Sequence, residues 1–421
     1  MRIRAAALAA SLACVAVVPS TAARERLTQD DAFVRVLQYH PDLRGFDAQQ
    51  TRLLAEQTAL RQGPPLRFGA ELENAFGTGE TRGLDGAELT LGLASVLETG
   101  DKARLRGDLV QTRIDALAGE RDARRLDLLA ETARRYLSVL DADARARIAA
   151  IDLDQRRRAE TLASQRHREG ASPLSVVLSA QAARAEAELA LASAETSGDA
   201  ARRALARLWG DTDARFAVVE EDTTRLPPLA SLDTLERALE ESPGMARFAD
   251  ERRIAEARLR LERAAARTDI DWQFGVRRLQ DTGDTALVAG FALPLGSRSR
   301  AAPAIRAAEA QLAELGVARE SRELALSATL LDAHGRYTLA RLQVRRHADE
   351  ILPALARATT ETERAWRLGA ATPFEWTQMQ QALSDARQRQ LDAALEARLA
   401  LIELQRLTGH ALVTSAQGDT P

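Results

Sequence analysis

Hydrophobic positions along this chain follow two different periods, and the switches between them mark out its elements. Leu66, Phe68, Ala70 and Leu72 alternate with Arg67, Gly69, Glu71 and Glu73, and Leu89, Leu91 and Leu93 alternate with Glu88, Thr90, Gly92 and Ala94. The same alternation returns at Ile270, Trp272, Phe274 and Val276, and again at Leu287, Ala289, Phe291 and Leu293. Period two sends successive side chains to opposite faces of a strand, so these segments predict two strand pairs. Elsewhere the period is longer. Leu126, Leu129, Ala133, Tyr136 and Leu140 recur at alternating steps of three and four, a coiled-coil seam. No proline occurs from Lys102 to Arg168, and those 67 residues predict one helix roughly 100 Å long. A shorter helix opens behind Thr28, an N-cap residue with Asp30 and Asp31 in the first turn. It breaks near Pro41 and runs on to Arg61.

The pattern occurs twice. At a constant offset of 199, Gly170 matches Gly369, Ala171 matches Ala370, Gln181 matches Gln380, Leu208 matches Leu407 and Gly210 matches Gly409. Upstream, His40-Pro41 matches Ser242-Pro243, and Gly92 and Leu97 match Gly290 and Leu295. Each half reads helix, strand, strand, long helix, turn, helix. The expected division is a first repeat over 24–210, a linker over 211–228 ending in Leu226-Pro227-Pro228, a second repeat over 229–410, and a tail over 411–421. Each strand pair is an island in helical sequence, and a lone hairpin is marginal in water.

The N-terminus bears on the compartment. Arg2 and Arg4 precede an apolar run from Ala5 to Val18, and Pro19 to Ala23 supply the small residues of a cleavage site, so residues 1–23 read as a signal peptide. Cys14, the single cysteine, lies within it, in a poor lipoprotein box. Export would leave a mature chain with no thiol, which excludes disulfides and thiolate sites. No other stretch holds 18 consecutive apolar residues, which excludes a helical inner-membrane transporter. An exported chain of this kind is either soluble or enters a membrane as a β-barrel.

Composition narrows the class further. The 421 residues are 45% hydrophobic and 28% charged but only 4% aromatic, the balance of long helices. The net charge of −3 argues against a general nucleic-acid binder.

In their order, spacing and duplication, several segments resemble the outer-membrane efflux (TolC) family over the whole mature chain. They are Leu27-Thr28 through His40-Pro41-Asp42-Leu43, Thr90 to Glu98, Gly290 to Gly296, and the turns Arg168 to Pro173 and Arg367 to Pro373. Glu71-Leu72-Glu73-Asn74 with Leu97 to Lys102 is similar to the branch serving heavy-metal efflux pumps (CzcC-like). The resemblance implies a mostly α fold. Duplicated helical hairpins would form a periplasmic α-barrel, and four strands per protomer would join a shared outer-membrane β-barrel in a homotrimer. Physics agrees in part: only a closed barrel lets strands cross lipid, and four strands cannot close.

The implied function is the outer-membrane channel of a tripartite efflux system. It would be a passive conduit fed by a periplasmic adaptor and an inner-membrane pump, with divalent metal ions as candidate cargo. Adaptor-docking tips are expected at Gly170, Ala171, Ser172 and Pro173 and at Gly369, Ala370, Thr372 and Pro373, with Ser172 and Thr372 as helix caps and the prolines at N1. Glu375, six residues after its turn glycine, is the aperture candidate, whereas the first half has Val176 there. In a barrel, Leu66, Phe68, Leu72, Leu89, Leu91, Trp272, Phe274 and Phe291 would face lipid, and Glu71, Glu73 and Gln273 the lumen.

No catalytic or cofactor motif emerges. The five histidines are scattered without an i, i+4 ligand pair, and no phosphate loop or nucleophile elbow is present, so neither enzyme activity, cofactor nor metal site is expected. Two other classes fit less well: an exported coiled-coil structural or adhesion protein, and a periplasmic adaptor, which would carry many more soluble strands.

Overall fold

A computed structural model describes residues 25–409 apart from residue 220. The signal-peptide and C-terminal-tail expectations lie outside the described residues. Two helical hairpins dominate. The first joins α3 (Lys102–Arg168) to α4 (Leu174–Ala206). The second begins with α7 (Ser297–Arg346), passes through a π-helical turn at His347–Ile351 into α8 (Leu352–Arg367), and returns as α9 (Pro373–Thr408). Four shorter helices precede the strand pairs: α1 (Gln29–Tyr39) and α2 (Pro41–Arg61), then α5 (Leu232–Glu240) and α6 (Pro243–Ala265). Pro41 and Pro243 sit in the first turns of α2 and α6, where a missing N–H costs no helical bond. Thr28 caps α1 in a reciprocal box with Asp31.

Strands β2 (Arg67–Glu73), β3 (Glu88–Leu97), β5 (Ile270–Leu279) and β6 (Thr285–Ala292) form one antiparallel sheet in the order β2-β3-β5-β6. The β3–β5 ladder, from Glu88 opposite Leu279 to Leu97 opposite Ile270, joins the two halves of the chain. Both outer edges, β2 and β6, lack a partner strand among the described residues.

Two further strands lie outside this four-stranded sheet. β1 (Glu25–Leu27) pairs in parallel with β4 (Phe216–Val218), inside the segment expected to be a plain linker. Three residues are too few to display a period, and this ladder joins positions almost 200 apart. It closes over a buried cluster of Leu27, Ala32, Tyr136, Val139, Leu205 and Phe216. A second cluster gathers Leu235, Leu239, Met245, Leu330, Tyr337 and Leu404. Each large apolar side chain buried there contributes about 1.5–3 kcal/mol. Between the hairpins α3 is central: it packs on α4 at one side and on α9 at the other.

Candidate functional site

Sheet register decides which side chains share a face. Phe68 lies opposite Leu93, Leu72 opposite Leu89, Leu91 opposite Val276, Phe274 opposite Ala289 and Trp272 opposite Phe291. These form one apolar face that no described residue covers: Phe68 is 71% exposed and Leu287 89%. Glu71, Glu73 and Gln273 share the other face with Thr90, Glu88 and Arg277.

That second face holds an ionic cluster that periodicity could not reveal. Arg277 donates to Glu88 Oε2 at 2.7 Å and to Thr90 Oγ1 at 3.0 Å, and its Nη2 lies 3.0 Å from Glu73 Oε2. One guanidinium thus ties three strands. Glu71 lies in the register row of Thr90 and Arg277, and the Gln273 side chain covers Gly290.

A glycine row crosses the same face. Gly69 lies opposite Gly92, and Gly92 opposite Gly275. A Cβ on Gly275 would stand 2.8 Å from the Leu91 carbonyl oxygen, and one on Gly92 would stand 3.2 Å from that of Phe274. Bending a sheet crowds the side chains on its inner face, and glycine at the crossing relieves this. The glycine row thus leaves room for the sheet to curl toward the face that carries the charges.

The hairpin tips are built from paired backbone bonds. Gly170 ends α3 at φ 74°, with its N–H on the His167 carbonyl at 3.0 Å and the Ala171 N–H on the Arg166 carbonyl at 2.8 Å. Gly369 does the same after α8 at φ 78°, with the Ala370 N–H on the Ala365 carbonyl at 2.8 Å. Both are Schellman closures, which require the left-handed conformation that glycine adopts without strain. The returning helices differ. Thr372 caps α9 with Pro373 at N1, and Glu375 closes a capping box: its Oε2 accepts from the Thr372 N–H at 2.7 Å and hydroxyl at 2.9 Å. Those bonds, the backbone one first, hold the Glu375 carboxyl below the usual range.

Ser172 is not a cap, which corrects the expectation for the first tip. Pro173 itself takes the N-cap position of α4 with no side-chain bond. Both turns span five residues, but Pro173 stands where the second has Thr372, and Val176 at N3 cannot reciprocate as Glu375 does.

Behind the tips Trp366 stacks on Trp376 with ring centroids 4.6 Å apart, both nearly fully buried. Arg166, from the other hairpin, lies over Trp366 and donates to its carbonyl at 3.2 Å. Among the described residues no cluster of His, Cys, Asp and Glu could hold a metal ion, and no helix is long and apolar enough to cross a membrane.

Sequence comparison agrees with this architecture. The family model described as outer membrane efflux protein matches residues 33–211. Over those residues the chain is similar to outer membrane efflux proteins. It is 26% identical over 230 residues to the cobalt-zinc-cadmium resistance protein CzcC of Cupriavidus metallidurans, a match spanning 55% of each chain. The chain thus spans about half the length of that curated relative. Its fold is similar to that of a membrane protein from Pseudomonas aeruginosa (TM-score 0.75, 19% identity, 90% of both chains covered). It is likewise similar to the outer membrane protein VceC of Vibrio cholerae (TM-score 0.73, 18% identity, 90% of this chain and 96% of that one covered). At such identities the likeness to the solved structures is one of fold. Duplicated hairpins and an open four-stranded sheet are the fold that this chain displays.

Proposed function

We propose that this protein is the outer-membrane channel of a tripartite efflux system, a passive conduit that works as a homotrimer. The observation that carries the reading is a sheet with a bare apolar face, a charged inner face and two unpaired edges. Such a sheet is stable in lipid only when copies close it, because open edges leave backbone groups unsatisfied. Strands β2 and β6 run in opposite directions, so the β6 edge of one copy meets the β2 edge of the next as an antiparallel pair. Two copies would give eight strands and three would give twelve; the family resemblance favours three.

The helical layer supports the same closure. Leu178 and Leu189 of α4, and Val317, Leu324 and Leu331 of α7, remain exposed. They are apolar positions for a neighbouring copy to cover. In this arrangement the apolar sheet face meets lipid, and Glu71, Glu73 and Gln273 line the lumen with Arg277 and Glu88. The turns at Gly170 to Pro173 and Gly369 to Pro373 receive the periplasmic adaptor, and Glu375 rings the aperture. The relative named for cobalt, zinc and cadmium resistance favours divalent cations as cargo.

Membrane fractionation tests the channel. The protein should sediment with outer membranes as a heat-modifiable trimer, whereas a soluble periplasmic monomer rejects the reading. Deletion strains challenged with zinc, cobalt and cadmium beside dyes and antibiotics test the cargo; sensitivity confined to the organic compounds rejects metal export.

A further inference from the structure

Helices α3 and α9 are joined by an arginine ladder of constant period. Arg134, Arg145 and Arg156 of α3 stand eleven residues apart, and so do their partners Glu403, Asp392 and Gln381 on the antiparallel α9. Arg134 reaches Glu403 at 2.6 Å and Arg145 reaches Asp392 at 2.6 Å. Each arginine also has an acid on its own helix: Glu131 at 3.9 Å, Asp141 at 2.9 Å and Asp152 at 3.5 Å. Arg145 therefore has two carboxylates, whereas Arg134 shares Glu131 with Arg135 and Glu403 with Arg406. Arg156 has one, plus the neutral amide oxygen of Gln381.

The deficient rung is also the most buried. The Arg156 side chain is 9% exposed, against 33% for Arg134 and 38% for Arg145. Asp152 is the one counter-charge of Arg156, and a guanidinium so far from solvent gains most from a further anionic partner. Arg156 lines a groove of about 380 Å³ that lies over α3 between the first turns of α4 and α9. Ser175 and Ser179 from α4 and Thr377 from α9 bring hydroxyl groups to it, and Ala159 and Ala163 supply an apolar floor. The Trp366–Trp376 stack forms its wall. A concave, mostly apolar space of this size with a few convergent polar groups has the character of a small-molecule site.

We propose that this groove binds an organic carboxylate with a flat aromatic body. The carboxylate supplies to Arg156 the charge that Gln381 lacks, and the ring lies against the alanine floor beside the tryptophans. The site disfavours cations, so it is separate from any metal cargo, and it does not depend on the channel reading.

Equilibrium dialysis of the purified full-length protein in non-ionic detergent tests it, with 2-naphthoate as probe and 2-naphthalenemethanol as the uncharged control. The acid should bind saturably and at least tenfold more tightly than the alcohol. Gln381→Glu completes the rung with a protein carboxylate and should weaken the acid at least tenfold while the melting temperature holds or rises. Ser179→Leu fills the groove without touching the ladder and should abolish binding as well. Equal affinity for acid and alcohol, unchanged affinity in Gln381→Glu, or no saturable binding to the wild-type protein overturns the proposal.

Discussion

The Tyr136 hydroxyl lies 3.1 Å from the carbonyl oxygen of Leu27, 109 positions away, and donates to it. The same hydroxyl lies 3.3 Å from the Val219 carbonyl, so one buried tyrosine on α3 ties β1 to the residue that follows β4. Tyr337 on α7 answers it in the second half by donating to the Pro227 carbonyl. These two side chains fasten the segment between the repeats to the two long helices.

Removing either hydroxyl should loosen that segment. Tyr136→Phe keeps the ring and deletes the donor, which costs about 1–2 kcal/mol for a buried hydrogen bond. The expected result is a lower melting temperature with trimers intact, and a similar loss for Tyr337→Phe. Burial pushes both phenols up from their ordinary value. A raised folded-state value gives stability that is whole below the unfolded value and is lost as pH rises past it. Thermal melts should therefore hold to about pH 9 and fall above about pH 10, the ordinary tyrosine range. The fall should be shallower in Tyr136→Phe.

The glycine row is needed only where the strands approach closely. Gly275→Val places a side chain where the Leu91 carbonyl already stands 2.8 Å from a Cβ, so the β3–β5 pairing should fail. Gly69 is in the same row, yet a Cβ there meets nothing within 4 Å. Heat-modifiable trimers on gels should disappear in Gly275→Val and persist in Gly69→Val. Equal yields from both would remove the close approach of β3 and β5 from the account.

At the tips the requirement is conformational. Neither Gly170 nor Gly369 has an atom within 4 Å of a built Cβ, so alanine there strains only the backbone. The left-handed conformation costs an L-residue about 1–2 kcal/mol, and asparagine less than alanine. Chemical denaturation should rank glycine above asparagine above alanine at both turns. Bulky replacements at the adjacent Ala171 and Ala370 should abolish efflux with trimers intact; efflux that survives both counts against adaptor docking there.

Glu375 has two separable roles, because the capping box needs its oxygen and a cation filter needs its charge. Glu375→Gln keeps an acceptor for the Thr372 N–H and removes the charge. Thr372→Ala does the reverse. Single-channel recording should show weaker cation selectivity in Glu375→Gln with a near-normal melting temperature, and normal selectivity with a lower melting temperature in Thr372→Ala. A depressed carboxyl value gives stability that is present above the unfolded value and lost as pH falls through the folded one. The cap should therefore weaken in acid, below about pH 4. Unchanged selectivity in Glu375→Gln would leave the residue as a helix-end acid.

Much of this structure follows from local patterns in the chain. The alternation at Phe68 and Glu71 assigns those side chains to opposite faces, because a strand's period is two whatever it pairs with. Thr28 before Asp31, and Gly170 and Gly369 after the long helices, announce their ends because caps and closures are completed within a few residues. Other features belong to the tertiary structure. The order β2-β3-β5-β6, the β1–β4 ladder and the clamp of Arg277 on Glu73 and Glu88 join residues nearly 200 positions apart. The rungs from Arg134 to Glu403 and from Arg145 to Asp392 span more than 240. In a chain this rich in arginine, glutamate and aspartate, every charge has many possible partners in sequence. Only the packing of α3 against α9, and of three strands across one charged face, selects among them.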